Sequence, residues 1–128
     1  MRQVDIGEYP SNWKAIAKQV KDDAGWQCVR CQHAHEPKAG YCLTVHHLDA
    51  NKSNCDWWNL APLCQRCHLS IQGRVIMQRQ WILPHSEWFR PYVAGYYASI
   101  NGLPTDKEFV IPNIDYLIAV GQGLYQTA

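Results

Sequence analysis

Apolar residues near the start of the chain recur at the spacing of one helix face. They fall at i, i+3, i+4 and i+7, and are Trp13, Ile16, Ala17 and Val20. This period predicts an amphipathic helix over residues 12–24. Ser11 or Asn12 stands where the N-terminal cap is expected, and Gly25 stands where the helix should stop.

The middle of the chain predicts the order strand, loop, strand, helix. Residues 41–47 are rich in β-forming types and precede a polar turn, and 59–63 form a second short extended segment. The Pro- and Gly-containing stretch 32–40 is predicted to be a loop. A helix is predicted from Gln65, with His68 in its first turns. Its apolar positions are Leu69, Ile71, Val75 and Ile76.

The last 40 or so residues predict two helices separated by a loop at 103–112. Pro91 fits a first helical turn and Gly102 a helix stop. Five aromatic residues in this part fall at helical spacing, which favours packing in a core over stacking on nucleic-acid bases. They are Trp88, Phe89, Tyr92, Tyr96 and Tyr97.

Length and composition predict one folded domain over 1–128, with a core at about 26–80 and a helical extension at about 86–128. The chain is 47% hydrophobic and 18% charged, which is typical of soluble globular proteins. It has no apolar run long enough to span a bilayer and no secretory signal pattern, so we expect a cytoplasmic protein without membrane contact. In a reducing compartment its six cysteines favour metal binding over disulfides.

Four of the cysteines form two knuckles of the same spacing. Cys28 and Cys31 make one Cys-x-x-Cys pair, and Cys64 and Cys67 make the other. If the strands between them form a hairpin, the pairs converge on one tetrahedral zinc ion whose coordination shell is closed, so that the ion is structural.

Other residues near the knuckles leave alternatives open. His33 and His35 follow the first pair and could replace a cysteine as a zinc ligand. Cys42 and Cys55 lack the knuckle spacing and are predicted to be small buried hydrophobic residues. His85 is interpreted as a surface or packing residue.

Three histidines remain for a second metal site. His46 and His47 are adjacent in the predicted strand, so their side chains should point to opposite faces and have different roles. If one of them binds a divalent cation together with His68, the other is free to act as a base on a water molecule near that ion.

The spacing of these residues resembles the HNH endonucleases. His46-His47 is followed after 11 residues by Asn59 and after 8 more by His68, with the Cys-x-x-Cys pairs on either side. The resemblance covers residues 28 to about 75, and the whole chain looks like the small HNH proteins of bacteriophages. It implies an α+β fold in which a ββα-metal core with a four-cysteine zinc site is flanked by an N-terminal helix and C-terminal helices.

The resemblance also implies a role for each motif residue. His46 becomes the first metal ligand, at a position where many members have aspartate, and His68 the second. His47 becomes the general base, and Asn59 holds the loop, and hence the base, through hydrogen bonds to backbone. Because only two side chains bind the ion, coordination positions stay open for water or phosphate. An uncharged imidazole in place of aspartate shifts the metal preference of the site from Mg²⁺ towards Mn²⁺, Ni²⁺, Co²⁺ or Zn²⁺.

The expected activity is hydrolysis of DNA to a 3′-hydroxyl and a 5′-phosphate, with DNA as the partner. The net charge of +1 is low for a DNA-binding protein, but residues 28–90 carry seven basic against four acidic side chains. Candidates for contacts with the DNA backbone are Lys52, Arg66 and Arg74. If a phage encodes the chain, its site of action is the bacterial cytoplasm.

Two other interpretations belong to different classes. The first is a non-catalytic, zinc-stabilised module on the same scaffold that binds DNA or a protein, such as a phage packaging protein. The second is an inhibitor in host defence that only uses the fold, and no feature of the sequence supports it. An intact set of His46, His47, Asn59 and His68 favours the nuclease, because a pure binding module does not need all four.

Overall fold

Five helices and one two-stranded hairpin make up the described part of the chain. The computed structural model describes residues 7–71 and 86–123. The chain divides into two units, Met1–Ile82 and Leu83–Ala128, and the division falls between the predicted core and the predicted helical extension. No helix within the described ranges is both long and apolar enough to cross a membrane.

The first helix, α1, spans Trp13–Asp23 and confirms the amphipathic pattern. Its apolar face packs on the hairpin, although no side chain of the helix is fully buried. Asn12 occupies the cap position without a side-chain hydrogen bond. Gly25 has φ +64°, a left-handed conformation that glycine adopts without strain and that turns the chain after the helix.

The hairpin consists of β1, Leu43–His47, and β2, Leu60–Cys64, paired antiparallel so that His46 faces Ala61 and His47 faces Leu60. Both predicted strands are confirmed with shifted ends. β1 begins two residues late because Tyr41 pairs instead with Glu36 in an isolated bridge. The segment Trp57–Asn59 is a 3-10 turn, so β2 begins after Asn59. All five residues of β2 are buried.

The second helix, α2, follows β2 directly and is described over Gln65–Ile71. Cys67 and Ile71, one turn apart, are its buried residues. The prediction that Leu69 belongs to the apolar face is wrong, because its side chain is 66% exposed on the opposite side of the helix. Val75 and Ile76, the other predicted apolar positions, lie outside the described residues, as does His85.

The C-terminal unit contains three helices: α3 at Arg90–Ile100, α4 at Lys107–Val110 and α5 at Ile114–Gly121. The predicted loop at 103–112 is therefore only partly a loop. Asp106 starts α4 by accepting a hydrogen bond from the Phe109 N–H group at 3.1 Å. A 3-10 turn at Ile111–Asn113 then leads into α5.

The core of the C-terminal unit lies between α3 and α5. Phe89 is completely buried and Tyr92 and Tyr97 are buried, whereas Trp88 and Tyr96 are half-buried, so the predicted aromatic core is confirmed in part. Gly121 allows the close approach of α5 to α3. A Cβ atom at that position would lie 2.1 Å from the Tyr97 ring.

Candidate metal sites

The four knuckle cysteines meet in one cluster. Their sulfur atoms all lie within 4.8 Å of one another, and the Sγ atoms of Cys31 and Cys64 are 3.8 Å apart. Four thiolates around a zinc ion at about 2.3 Å have sulfur–sulfur separations of about 3.8 Å, so the spacing fits a tetrahedral ion. Within the described part of the chain, no other group of three or more His, Cys, Asp or Glu side chains lies close enough to share an ion.

Matching turns and one backbone bond hold the two pairs in place. The Cys31 N–H group points to Cys28 Sγ at 3.4 Å, and the Cys67 N–H group points to Cys64 Sγ at the same distance. Val29, inside the first pair, donates its N–H group to the Pro62 carbonyl at 2.9 Å. The first knuckle is thereby attached to the outer edge of β2, and four cysteines that are distant in sequence become neighbours.

The protein environment affects the individual thiols differently. Burial opposes ionisation of Cys28, but the backbone N–H groups of Cys31, Cys64 and Arg30 lower its pKa to about 7. Burial raises the pKa of the Cys67 thiol to about 12. Because a metal binds thiolates, uptake of zinc must displace protons from the cluster.

The two histidines near the first knuckle are engaged elsewhere. His33 stacks on Tyr41 with ring centres 3.5 Å apart, and its Nδ1 lies 2.7 Å from the Ala34 carbonyl oxygen. His35 Nδ1 accepts a hydrogen bond from the Leu43 N–H group at 2.9 Å. The four-cysteine cluster therefore needs neither histidine as a substitute ligand. Cys42 and Cys55 lie outside the cluster and are half-buried, not buried as predicted.

The adjacent histidines of β1 point to opposite faces of the hairpin. The His46 ring lies 4.5 Å from the His68 ring on the face covered by α2, whereas the His47 ring lies 4.8 Å from the Trp13 ring on the face covered by α1. Two imidazoles that bind one ion through bonds of about 2.0 to 2.1 Å have ring centres roughly 4 to 6 Å apart. The separation of His46 and His68 therefore fits a shared ion.

Burial controls the protonation of His46. The side chain is only 9% exposed, and burial lowers its pKa to about 3, with any positive charge on His68 or His47 acting in the same direction. The imidazole is therefore neutral at pH 7, which is the form that binds metals. His47 is 6% exposed and also lies 5.8 Å from the Tyr9 ring.

Asn59 closes the loop between the strands. Its fully buried side chain accepts a hydrogen bond from the Asp49 N–H group at 2.8 Å, and donates to the Asp49 carboxylate at 2.8 Å and to the Asn54 carbonyl at 2.9 Å. Sequence reasoning missed Asp49. Its carboxylate also accepts bonds from the Asn51 N–H group and the Asn54 amide. The Asp and Asn residues at 49, 51 and 54, soon after the histidine pair, could have indicated a loop held by side-chain hydrogen bonds.

Two of the three predicted DNA contacts, Arg66 and Lys52, lie within the described residues, and each packs on a different aromatic ring. The Arg66 guanidinium lies 4.6 Å from the Tyr41 ring, is exposed, and donates to the Ala39 carbonyl at 3.1 Å. Lys52 lies elsewhere, with its Nζ atom 5.2 Å from the Tyr9 ring, and Tyr9 stacks in turn on Trp13. Arg74 lies outside the described residues.

Comparison with known proteins finds one partial relative. No family model matches the chain, and no solved structure matches it. A stretch of 60 residues, 47% of the chain, is 33% identical to part of Zorya protein ZorE from Escherichia coli. That stretch covers 16% of ZorE, so the chain spans about a sixth of the length of this curated relative.

Proposed function

We propose that this chain is a metal-dependent DNA endonuclease of the HNH type that hydrolyses phosphodiester bonds to a 3′-hydroxyl and a 5′-phosphate. The observation that supports it most directly is the placement of three histidines. One strand presents His46 to His68 on one face and carries His47 on the other, while four cysteines form a separate cluster. A chain stabilised only by a four-cysteine zinc site has no need of a separate imidazole pair in which His46 is buried and His68 is half-buried.

His46 and His68 would hold the divalent cation of this reaction. A divalent cation held there would supply Lewis-acid stabilisation of the charge that develops on the phosphate and the leaving oxygen. Two side chains leave other coordination positions to water and phosphate, unlike the four thiolates of the cysteine cluster. Since both ligands are uncharged imidazoles, we expect Mn²⁺, Ni²⁺, Co²⁺ or Zn²⁺ to support more activity than Mg²⁺.

His47 would take the proton from the attacking water. A neutral imidazole suits this role near pH 7, and the packing against Trp13 fixes the orientation of the ring. Asn59 anchors Asp49, two residues after His47, and so holds the end of β1 in place. His47 would thus be a proton acceptor held at the end of β1, one residue from the cation ligand His46 and on the opposite face of the hairpin.

DNA is the proposed partner, and its backbone would be contacted by Lys52, Arg66 and Arg74. Arg66 is the best supported of the three. Its exposed guanidinium is held against Tyr41 and Ala39, so less side-chain entropy is lost when it binds a phosphate.

Cleavage of a supercoiled plasmid tests the proposal. Purified protein with one zinc ion per chain would be incubated with Mn²⁺, Ni²⁺ or Mg²⁺, and nicked and linear products would be separated on a gel. We expect the parent protein to cut, and His47→Ala to keep its zinc and its circular dichroism spectrum while losing at least about a hundredfold in rate.

His33→Ala is the matched control, because His33 is a histidine outside both candidate sites. It should cut at the rate of the parent protein. Unchanged plasmid under every metal, with zinc bound and the protein folded, would refute the nuclease. A His47→Ala protein as active as the parent would refute the choice of base.

The alternative is a zinc-stabilised module that binds DNA or a protein without cutting. The low exposure of His46 and His47 favours it, since a reacting phosphate must come close to both residues. Retarded migration of DNA with no cleavage under any metal would support this alternative.

A further inference from the structure

Thr44 lies on the same face of β1 as His46, because side chains two residues apart in a strand point the same way. Its hydroxyl oxygen is 2.7 Å from the Leu63 carbonyl oxygen on the opposite strand and 3.0 Å from His68 Nδ1. One hydroxyl therefore joins the two strands of the hairpin to a proposed metal ligand on α2.

The single hydrogen of the Thr44 hydroxyl group determines which ring nitrogen of His68 is protonated. A threonine hydroxyl has one hydrogen, and a carbonyl oxygen can only accept, so that hydrogen belongs to the bond with Leu63. The hydroxyl oxygen must then act as the acceptor towards His68, whose Nδ1 supplies the hydrogen. A neutral imidazole protonated at Nδ1 carries its lone pair on Nε2.

We propose that Thr44 is a positioning residue that fixes the tautomer and the ring orientation of His68, so that Nε2 is the atom presented to a divalent cation. The part concerning the cation rests on the proposed function, whereas the tautomer is a property of the chain alone. Partners of this kind behind a histidine ligand typically affect metal affinity about 10- to 100-fold.

A purely structural role for Thr44 makes a different prediction. If the hydroxyl only satisfies the Leu63 carbonyl, its removal changes stability but leaves the preferred tautomer and the metal affinity unchanged. Thr44→Val removes the hydroxyl and keeps the branched shape of the side chain, while Thr44→Ser keeps the hydroxyl. These two variants separate the two roles.

The tautomer can be read without any second metal. Long-range proton–nitrogen NMR spectra of ¹⁵N-histidine-labelled, zinc-loaded protein at about pH 8, where free imidazole is neutral, distinguish protonated from unprotonated ring nitrogens. The signals of His68 are assigned by their loss in His68→Gln. We expect hydrogen at Nδ1 in the parent and in Thr44→Ser, and a shift of the population towards hydrogen at Nε2 in Thr44→Val.

Titration calorimetry with Mn²⁺ on the same zinc-loaded proteins tests the consequence for metal binding. We expect Thr44→Val to bind about 10- to 100-fold more weakly than the parent and Thr44→Ser within about threefold of it. Zinc content should stay equal in all three. The inference would be overturned by hydrogen at Nε2 of His68 in the parent protein, or by an unchanged tautomer in Thr44→Val. It would also be overturned if the parent and Thr44→Val bound Mn²⁺ equally well, or if neither of them bound it. If the expected tautomers and affinities appear but no DNA is cut, the nuclease proposal fails and this one stands.

Discussion

Replacing Asn59 with alanine removes three hydrogen bonds from a completely buried side chain. Two of the bonds are to neutral backbone groups, the Asp49 N–H and the Asn54 carbonyl, and the third is to the Asp49 carboxylate. All three tie the loop that follows β1 to the start of β2. Their loss therefore weakens the connection on which the position of His47 depends.

The loss in the free energy of unfolding can be estimated from these contacts. A neutral hydrogen bond contributes about 1 kcal/mol, and one to an ionised group contributes about 1.5 to 3 kcal/mol. Because Asp49 is half-exposed, water replaces part of the third bond, which places it at the lower end of that range. We therefore expect Asn59→Ala to lower the free energy of unfolding by about 3 to 4 kcal/mol. This loss is a large part of the free energy of unfolding of a typical domain, which is roughly 5 to 15 kcal/mol.

Urea unfolding of zinc-loaded protein, followed by tryptophan fluorescence, gives this quantity. Asn51→Ala is the control, since Asn51 belongs to the same loop and its amide oxygen accepts two local hydrogen bonds from Ser53 in an exposed turn. It should lose less than about 1 kcal/mol. If Asn59→Ala is no less stable than Asn51→Ala, the buried amide does not hold the loop.

Three further predictions concern other parts of the chain. Cys31→Ser should lose the zinc ion and unfold at a much lower urea concentration than the parent, whereas Cys42→Ser should keep both its zinc and its stability. If elemental analysis finds the same zinc content in the two variants, the four-cysteine site is contradicted. Arg66→Ala should weaken DNA binding, measured by fluorescence anisotropy, and lower the slope of log affinity against log salt by about 1; an unchanged slope would rule out a phosphate contact there. Gly121→Ala should destabilise the C-terminal unit by about 1 to 3 kcal/mol, because the added methyl group overlaps the Tyr97 ring; unfolding at the parent's urea midpoint would contradict the close packing of α3 and α5.

Local sequence patterns were sufficient to predict the structure wherever a single short-range rule determined it. The two-residue period of a strand predicted that His46 and His47 separate onto opposite faces, and the hairpin does separate them. The repeated knuckle spacing predicted the four-cysteine cluster, because a hairpin between the pairs returns the second pair beside the first. Both predictions needed no more than strand geometry and a turn.

The remaining features depend on contacts between residues that are distant in sequence. Nothing near Thr44 in the sequence indicates that its hydroxyl reaches His68 on another element. Leu69 fits the apolar period of α2 but is exposed, because Cys67 and Ile71 already occupy the face that packs on the hairpin. The short helix α4 begins with one side-chain cap, in which the Asp106 carboxylate accepts a hydrogen bond from the Phe109 N–H group. In the sequence, such a cap is too weak a signal to outweigh the nearby prolines.

The hydrogen bond between Val29 and Pro62 has a consequence for the chain without zinc. A strand with an unpaired edge readily pairs with strands of other molecules, and the first knuckle covers the outer edge of β2 at this point. Removal of the metal would release the knuckle and uncover a fully apolar strand. If zinc occupies the four-cysteine cluster, we expect demetallated samples to form β-rich oligomers at concentrations at which the zinc-loaded protein stays monodisperse.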